Sequence, residues 1–90
     1  MANIENAIDL CRHFKLSKDC EIKAHNLFNT HKDKFLKPCI GIFNGIKQQN
    51  KIILENEYEY PKGIFYVKTN YLKIIYKKEN LEIINIDWLA

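Results

Sequence analysis

The chain has 90 residues, 47% of them hydrophobic and 28% charged, which suits one globular domain and leaves no room for a second core. Its three Gly and two Pro exclude a low-complexity or collagen-like chain, and no apolar run approaches the roughly 20 residues of a membrane helix. Thirteen of the fourteen basic residues are Lys, as in AT-rich genomes, so the net charge of +3 does not by itself indicate a nucleic-acid partner.

The N-terminal segment and the cysteines indicate a cellular compartment. Glu5 and Asp9 lie in a segment that has no basic stretch followed by an apolar one, so the sequence predicts no signal peptide. Cys11, Cys20 and Cys39 are odd in number, which rules out a full disulfide framework and predicts reduced thiols. Both observations predict a cytoplasmic protein.

The first third of the chain has the period of a helix. One apolar stripe contains Ile4, Ala7, Ile8, Cys11 and Phe14. This stripe predicts a helix over about 4–15, with Asn3 as its N-cap. A second stripe contains Ala24, Leu27, Phe28, His31 and Phe35. The second stripe predicts a helix over about 18–36 that begins after Ser17, ends before Pro38 and forms a helical hairpin with the first.

After the second helix the period changes from 3.6 to 2. The predicted strands lie at about 39–46, 51–59, 63–68, 71–77 and 81–88. In the stretch "PKG", Pro61 presets φ for a turn and Gly63 permits a positive φ. Helices followed by strands predict an α+β fold with a single domain over residues 1–90, in which the N-terminal helical hairpin packs on one face of a four- to five-stranded antiparallel meander.

The last predicted hairpin has apolar residues on both faces of its second strand. A two-residue turn predicts that Lys77 faces Glu82, Ile75 faces Ile84 and Tyr71 faces Trp88. Two helices cover only one face of such a sheet, so part of the other face is expected to contact a partner. The predicted partner surface consists of Tyr71, Lys73, Ile75, Ile86 and Trp88. The pattern leaves open which face the helices cover.

A second candidate surface is acidic. Glu55, Glu57 and Glu59 alternate along one predicted strand and therefore share a face. Neighbouring carboxylates on one strand face lie about 7 Å apart, too far to hold one metal ion tightly. The acidic residues are either a solvated edge that discourages aggregation or a binding surface for a basic partner.

The histidines and cysteines do not form a metal or nucleophile motif. Cys11 and His13 are close in sequence, but their spacing is not that of a zinc pair, and His25 and His31 lie on different faces of a helix. None of the cysteines lies in a Gly-bounded turn of the kind that exposes a nucleophile. The sequence therefore predicts no metal, no cofactor and no catalytic residue.

The last strands interleave aromatic rings with lysines, a pattern that can stack bases and follow a phosphate backbone. These residues are Phe65, Tyr66, Tyr71, Tyr76 and Trp88, with Lys62, Lys68, Lys73, Lys77 and Lys78. The stretch "KGIFYV" shares only its first two residues with the RNA-recognition pattern. Core aromatic residues beside a solvated lysine face explain the same composition, so nucleic-acid binding stays an alternative.

The stretch "GIFYVKTNYLKIIYKKENLEIINI", from Gly63 to Ile86, is similar to the final strands of the RelE/ParE-like ribonuclease toxins, in which two helices also precede an antiparallel meander. The similarity covers about a quarter of the chain and lies mainly in hydrophobic alternation. It implies a ribonuclease, with Lys73, Tyr76 and Lys77 as the candidate residues. The chain departs from the family because it lacks a strand before the helices and has no Arg or His in the meander.

Three functions are compatible with these features. The first is a small non-enzymatic interaction protein that binds and inhibits or regulates a macromolecular target, as phage or mobile-element inhibitors, anti-defence proteins, immunity proteins and antitoxins do. The second is a nucleic-acid-binding module or a RelE-like ribonuclease. The third is a structural subunit or a homodimer. The small size, the lack of motifs and the apolar second sheet face favour the first, with a protein as the target and no membrane partner.

Overall fold

The computed structural model describes residues 3–51, 57–59 and 61–89, in which three helices are followed by four strands. The helices are α1 (Ala7–His13), α2 (Lys18–His31) and α3 (Asp33–Gln48), and the strands are β1 (Glu57–Glu59), β2 (Ile64–Lys68), β3 (Leu72–Lys77) and β4 (Ile83–Trp88). The strands form one antiparallel sheet in the order β1-β2-β3-β4. The predicted α+β class, with N-terminal helices and an antiparallel meander, is confirmed.

Side-chain caps fix the starts of the first two helices. The Ser17 hydroxyl accepts a hydrogen bond from the Cys20 amide at 3.2 Å, at the predicted start of α2. The N-cap of α1 is Asn6 rather than the predicted Asn3, because the Asn6 side-chain oxygen accepts a hydrogen bond from the Asp9 amide at 2.9 Å. Each cap supplies a partner to an amide that has none within the helix.

The largest correction concerns the segment that follows α2. The helix predicted over 18–36 ends at His31 and is separated from α3 by Lys32, which has a φ of 52° and a ψ of −127°. The strand predicted over 39–46 is wrong, because α3 contains all of these residues. The helical hairpin is therefore a group of three helices.

The burial pattern of α3 explains why this segment is helical. Its buried apolar side chains lie on one face at spacings of one, three and four positions: Phe35, Leu36, Cys39, Ile42, Phe43 and Ile46. Pro38 lies inside the helix, where it removes one backbone hydrogen bond at a cost of about 3 kcal/mol. Burying each large apolar side chain contributes about 1.5–3 kcal/mol, so the packing of this face outweighs the cost of the proline.

The predicted strands agree with the structure in the C-terminal third of the chain. β2, β3 and β4 lie within the predicted ranges 63–68, 71–77 and 81–88. The prediction of a strand over 51–59 is met at Glu57–Glu59, and its residues 52–56 lie outside the described part of the chain.

The hairpin of β3 and β4 has the predicted register near its turn and loses it further on. The Lys77 amide donates to the Glu82 carbonyl at 2.9 Å, and the two side chains form an ion pair at 3.6 Å. A β-bulge follows, since Ile75 faces Asn85 rather than Ile84. The predicted pair of Ile75 with Ile84 is therefore wrong, and Ile84 is the extra residue of the bulge.

The one-residue shift persists to the end of the hairpin. Leu72 faces Trp88, so the predicted pair of Tyr71 with Trp88 is also wrong. Because of the extra residue, Ile83 and Ile86 point to the same side of the sheet although they lie three positions apart. The bulge thus explains why β4 reads as apolar on both faces.

The helices pack on the face of the sheet that carries Ile74 and Tyr76. The buried side chains of this face are Val67, Leu72, Ile74, Tyr76, Ile83 and Ile86, and they form one cluster with buried residues of all three helices. The rings of Phe14 and Phe43 meet edge to face within this cluster, with centroids 5.2 Å apart. We call this side of the sheet the helix face.

The outer edge of β4 is covered by the connection between α1 and α2. The Ser17 amide donates to the Ile83 carbonyl at 2.9 Å, and the Ile83 amide donates to the Lys15 carbonyl at 2.8 Å. Leu16 forms the corresponding parallel bridge with Ile83. These bonds satisfy backbone groups that an exposed edge would offer to another strand.

Candidate functional site

The sheet has a second face, formed by the side chains that alternate with those of the core. Its residues are Tyr58, Ile64, Tyr66, Lys68, Lys73, Ile75, Lys77, Asn85 and Asp87, and we call this surface the open face. None of them belongs to the core cluster or packs against it. In the described part of the chain the helices bury their apolar residues on the helix face, and α2 reaches the open face through Lys23.

A tyrosine pair lies on the β1 side of the open face. Tyr58 faces Tyr66 across β1 and β2, and their rings stack with centroids 5.3 Å apart. The Lys73 ammonium lies 4.7 Å from the centroid of the Tyr66 ring, a cation–π contact. Tyr66 thus contacts one residue from each of its two neighbouring strands, β1 and β3.

The charges of the open face are mostly positive. The Lys23 ammonium binds the Asp87 carboxylate at 3.0 Å, and Lys77 forms its ion pair with Glu82. Lys68 and Lys73 face each other directly across β2 and β3. Like charges at directly opposed positions destabilise a sheet by a few tenths of a kcal/mol to about 1 kcal/mol.

Ile75 gives the open face an apolar centre. It is 9% exposed although it does not belong to the core cluster. Its register partners are Tyr66 on β2 and Asn85 on β4. A buried isoleucine ringed by aromatic and charged side chains resembles the centre and rim of a protein interface.

The bulge divides the predicted partner surface. Lys73 and Ile75 both lie on the open face. Ile86 is 0% exposed and lies in the core on the helix face, so its predicted place on the partner surface is wrong. Trp88 faces Leu72, a helix-face residue, and packs against the core cluster.

Tyr71 and Trp88 form a separate aromatic group at the end of the sheet. The Trp88 ring stacks on His31 of α2 with centroids 4.0 Å apart, and the Tyr71 ring lies 5.9 Å from Trp88 at an angle of 19°. These three rings border a cavity of about 440 Å³ whose wall also contains Lys34 and Pro38. Much of Tyr71 is exposed, whereas Trp88 is held by the stack.

The acidic residues lie on the other side of the sheet. Glu57 faces Val67 and Glu59 faces Phe65, so both point to the helix face rather than to the open face. The Glu57 carboxylate accepts hydrogen bonds from the Tyr76 hydroxyl and, at 3.2 Å, from the Lys78 ammonium. These bonds show that Glu57 ties β1 to β3.

The remaining acidic residues have other surroundings. The Glu59 carboxylate accepts a hydrogen bond from the Gly63 amide at 3.3 Å. Glu55 lies outside the described residues, so its predicted role stays a prediction. A shared docking surface of Glu57 and Glu59 with Lys73 and Ile75 is not formed, because the two pairs lie on opposite faces.

The residues suggested for ribonuclease chemistry are not brought together. Lys73 and Lys77 lie on the open face, whereas Tyr76 lies on the helix face and is fully buried. Burial raises the pKa of the Tyr76 phenol well above its usual value, and the Glu57 carboxylate adds to the shift. A buried phenol that donates a hydrogen bond to a carboxylate of its own chain stabilises the fold.

The thiols are poor nucleophiles at neutral pH. Burial, with a contribution from Glu21, raises the pKa of Cys11 to about 11, and burial raises the pKa of Cys20 to about 12. Burial also raises the pKa of Cys39 well above its usual value. The thiolate is the reactive form, so none of the three has the lowered pKa of a catalytic cysteine. Among the described residues no group of three or more His, Cys, Asp and Glu is placed to hold a metal ion.

Sequence reasoning missed the centre of the open face. The sequence predicts Tyr66 and Lys68 only as members of an aromatic and basic composition, and it predicts no role for Tyr58. Their grouping depends on the pairing of β1 with β2, which could have been read from the turn at Gly63. Lys23 and Asp87 lie far apart in the sequence, so no local sequence pattern predicts their contact.

Comparison with known proteins gave no relatives: no family model, no curated protein and no solved structure matches the chain. None of the helices in the described ranges is both long and apolar enough to cross a membrane.

Proposed function

We propose that this protein is a small non-enzymatic interaction protein that binds a macromolecular target through the open face and thereby inhibits or regulates it. The observation that carries the proposal is the Tyr58 ring, which is 54% exposed and stacks on Tyr66 beside the Lys73 ammonium on this face. Apolar and aromatic side chains grouped on a face without helices are typical of a docking surface.

The target in this proposal is a protein, and the chain acts in the cytoplasm. Inhibitors carried by phages or mobile elements, anti-defence proteins, immunity proteins and antitoxins are the classes that we consider. Small size and the absence of a sequence motif support such a role, and three free cysteines suit a reducing compartment. Binding rather than catalysis is supported by the raised thiol pKa values and by the internal hydrogen bond of Tyr76.

The test is capture of a partner from the source cell with matched variants. Tyr58 on the open face is 54% exposed, and Ile22 on α2 is 60% exposed, so Tyr58→Ser and Ile22→Ser remove similar exposed apolar area from different surfaces. We expect Ile22→Ser to capture the same partner as the wild type and Tyr58→Ser to lose it. Cross-links from the partner should map to β2 and β3.

Two outcomes would contradict the proposal. If Tyr58→Ser and the wild type capture the partner equally, the open face is not the docking surface. If light scattering shows a dimer that Tyr58→Ser converts to a monomer, the open face binds a second copy of the chain rather than a foreign target. Circular dichroism of each variant shows whether the fold is retained.

A further inference from the structure

The aromatic cavity at the end of the sheet contains none of the residues of the open face. Its volume is about 440 Å³, and its wall includes His31, Trp88 and the ring of Tyr71, which is 53% exposed. Ligand pockets in proteins have volumes of roughly 300–1,000 Å³ and are lined mainly by apolar and aromatic side chains. The size and the lining of this cavity are therefore those of a binding site.

Contacts within the chain hold the two large rings of the cavity in place. Trp88 is stacked on His31 with centroids 4.0 Å apart. The Leu89 amide donates to the Tyr71 carbonyl at 2.7 Å, and the Tyr71 ring lies nearly parallel to Trp88, at an angle of 19°. Because the rings are positioned in advance, a ligand that packs on them loses little free energy to the ordering of the protein.

The indole of Trp88 adds a hydrogen-bond donor to this surface. Its N–H donates to no acceptor in the described part of the chain, where no buried side-chain nitrogen or oxygen lacks a partner. The indole nitrogen is therefore accessible to solvent. Since an indole N–H donates but cannot accept, it suits a ligand that carries carbonyl oxygens.

The charges of the cavity wall do not favour a charged polymer. Among the described residues of the wall, Asp33 and Lys34 carry opposite charges. A nucleic acid is bound chiefly through several basic residues that contact its phosphates, and the Asp33 carboxylate would repel a phosphate. The wall therefore favours an uncharged ligand that is apolar and rich in carbonyl groups.

A proline-rich polypeptide has these properties. The polyproline II helix makes no internal hydrogen bonds, so its carbonyl oxygens are free to accept them. Proline-rich segments dock in aromatic-lined grooves because their apolar rings pack on the aromatic side chains and their helix is formed before binding. A flexible segment of glycine and serine has the same carbonyl groups but lacks both the rings and the preformed shape.

We infer that this cavity binds a proline-rich segment of a partner protein, with proline rings against Tyr71 and a carbonyl oxygen that accepts from the Trp88 indole. The site is additional to the open face and does not require the proposed function to hold. It gives a binding role to Tyr71 and Trp88, the two predicted partner residues that form the aromatic group.

The test is the binding of a fluorescent oligoproline peptide of about ten residues to the full chain, measured by fluorescence anisotropy. Tyr71→Ala removes the exposed ring of the cavity. Tyr58→Ala is the matched control on the open face, because Tyr71 and Tyr58 are 53% and 54% exposed. We expect Tyr71→Ala to weaken oligoproline binding by about tenfold or more and Tyr58→Ala to change it by less than about twofold.

A second measurement needs no substitution. Trp88 is the single tryptophan of the chain, so the intrinsic fluorescence reports on this cavity directly. Unlabelled oligoproline, titrated to millimolar concentration, should change the Trp88 emission with the same Kd as the anisotropy gives. A glycine-serine peptide of the same length and an oligothymidine are the control ligands, and we expect neither to change the emission.

Four results would overturn the inference. Oligoproline that leaves the Trp88 emission unchanged does not bind in the cavity. Equal binding of the glycine-serine peptide shows that proline is not recognised, and binding of oligothymidine alone that depends on Tyr71 identifies a site for bases. Equal weakening by Tyr71→Ala and Tyr58→Ala shows that the cavity is not the site. If circular dichroism shows that Tyr71→Ala is unfolded, the titration of the wild type decides.

The inference and the proposed function fail separately. Partner capture that depends on Tyr58, together with no binding of oligoproline, removes the cavity site and leaves the open face as the docking surface. Oligoproline binding that depends on Tyr71, together with partner capture that does not depend on Tyr58, removes the open face and leaves the cavity site.

Discussion

Ile74 and Ile75 are neighbours on the same strand, and both are buried, but for different reasons. Ile74 is 0% exposed because three helices pack on its side of the sheet. Ile75 is 9% exposed although it lies outside the core cluster, on the opposite face of the sheet. Burial on the helix face contributes mainly to stability, whereas we propose that the side chains of the open face bind a partner.

The strongest test of this comparison is substitution of the two isoleucines by alanine. Ile74→Ala leaves a cavity between the sheet and the helices, and we expect the free energy of unfolding to fall by about 3–4 kcal/mol. In a domain of this size such a loss is a large part of the total stability. Urea denaturation followed by circular dichroism measures it.

The matched variant on the open face should behave differently. For Ile75→Ala we expect a loss of about 1 kcal/mol, because the flanking side chains can settle into the space. Partner binding should fall in Ile75→Ala far more than its stability does. Equal losses of stability in the two variants would show that the open face is a second core and not a docking surface.

The next largest effect concerns the tyrosines of the two faces. Tyr76→Phe removes the hydroxyl that donates to Glu57 and leaves the carboxylate short of one partner, so we expect a loss of about 2 kcal/mol. Tyr58→Phe changes an exposed residue and should alter stability by less than about 0.5 kcal/mol. Thermal melts of the two variants and of the wild type measure these changes in stability. If Tyr76→Phe is as stable as the wild type, the hydrogen bond to Glu57 does not hold β1 in place.

The raised thiol pKa values predict how the stability of the helical layer depends on pH. The folded pKa values of Cys11 and Cys20 are raised to about 11 and about 12, so the unfolded chain releases these protons first. The protonated thiols therefore contribute fully to the free energy of unfolding below about pH 9. This contribution is lost as the pH rises toward the folded pKa values. For Cys20 alone the loss at about pH 10 is about 1 kcal/mol.

Urea denaturation at neutral pH and at about pH 10, below the titration of most lysines, measures this loss. Cys20→Ala should show a smaller fall between the two pH values than the wild type, although it starts from a lower stability. An unchanged slope in Cys20→Ala would show that this thiol ionises in the folded protein as readily as in the unfolded chain.

The smallest expected effect is a gain of stability at Lys32. Its φ of 52° with a ψ of −127° is a conformation that glycine adopts far more easily than a residue with a side chain. Lys32→Gly should therefore raise the free energy of unfolding by about 0.5–1 kcal/mol, less the contact of the lysine with the Phe28 ring. Partner binding should not change, since the residue lies in the helical layer; a loss of stability would show that the contact with Phe28 outweighs the strain.

The sequence was sufficient to predict the class, the meander and the register next to the last turn, because these depend on alternation and turn residues. It was not sufficient for α3, since the β-branched isoleucines around Cys39 favour a strand, and only packing against the sheet selects the helix. It also missed the bulge at Ile84, which no residue type marks. That one residue decided which half of the predicted partner surface became core.

Ile84 makes β4 one residue longer than its pairing with β3 requires. Side chains on either side of it keep their faces whether or not it is present, because removing it restores simple alternation from Ile83 to Asn85. A deletion at any position of β3 would instead turn every following side chain to the opposite face. The hairpin therefore tolerates a change of length at a single point, and homologous chains that differ in length here can share the same core and the same outer surface.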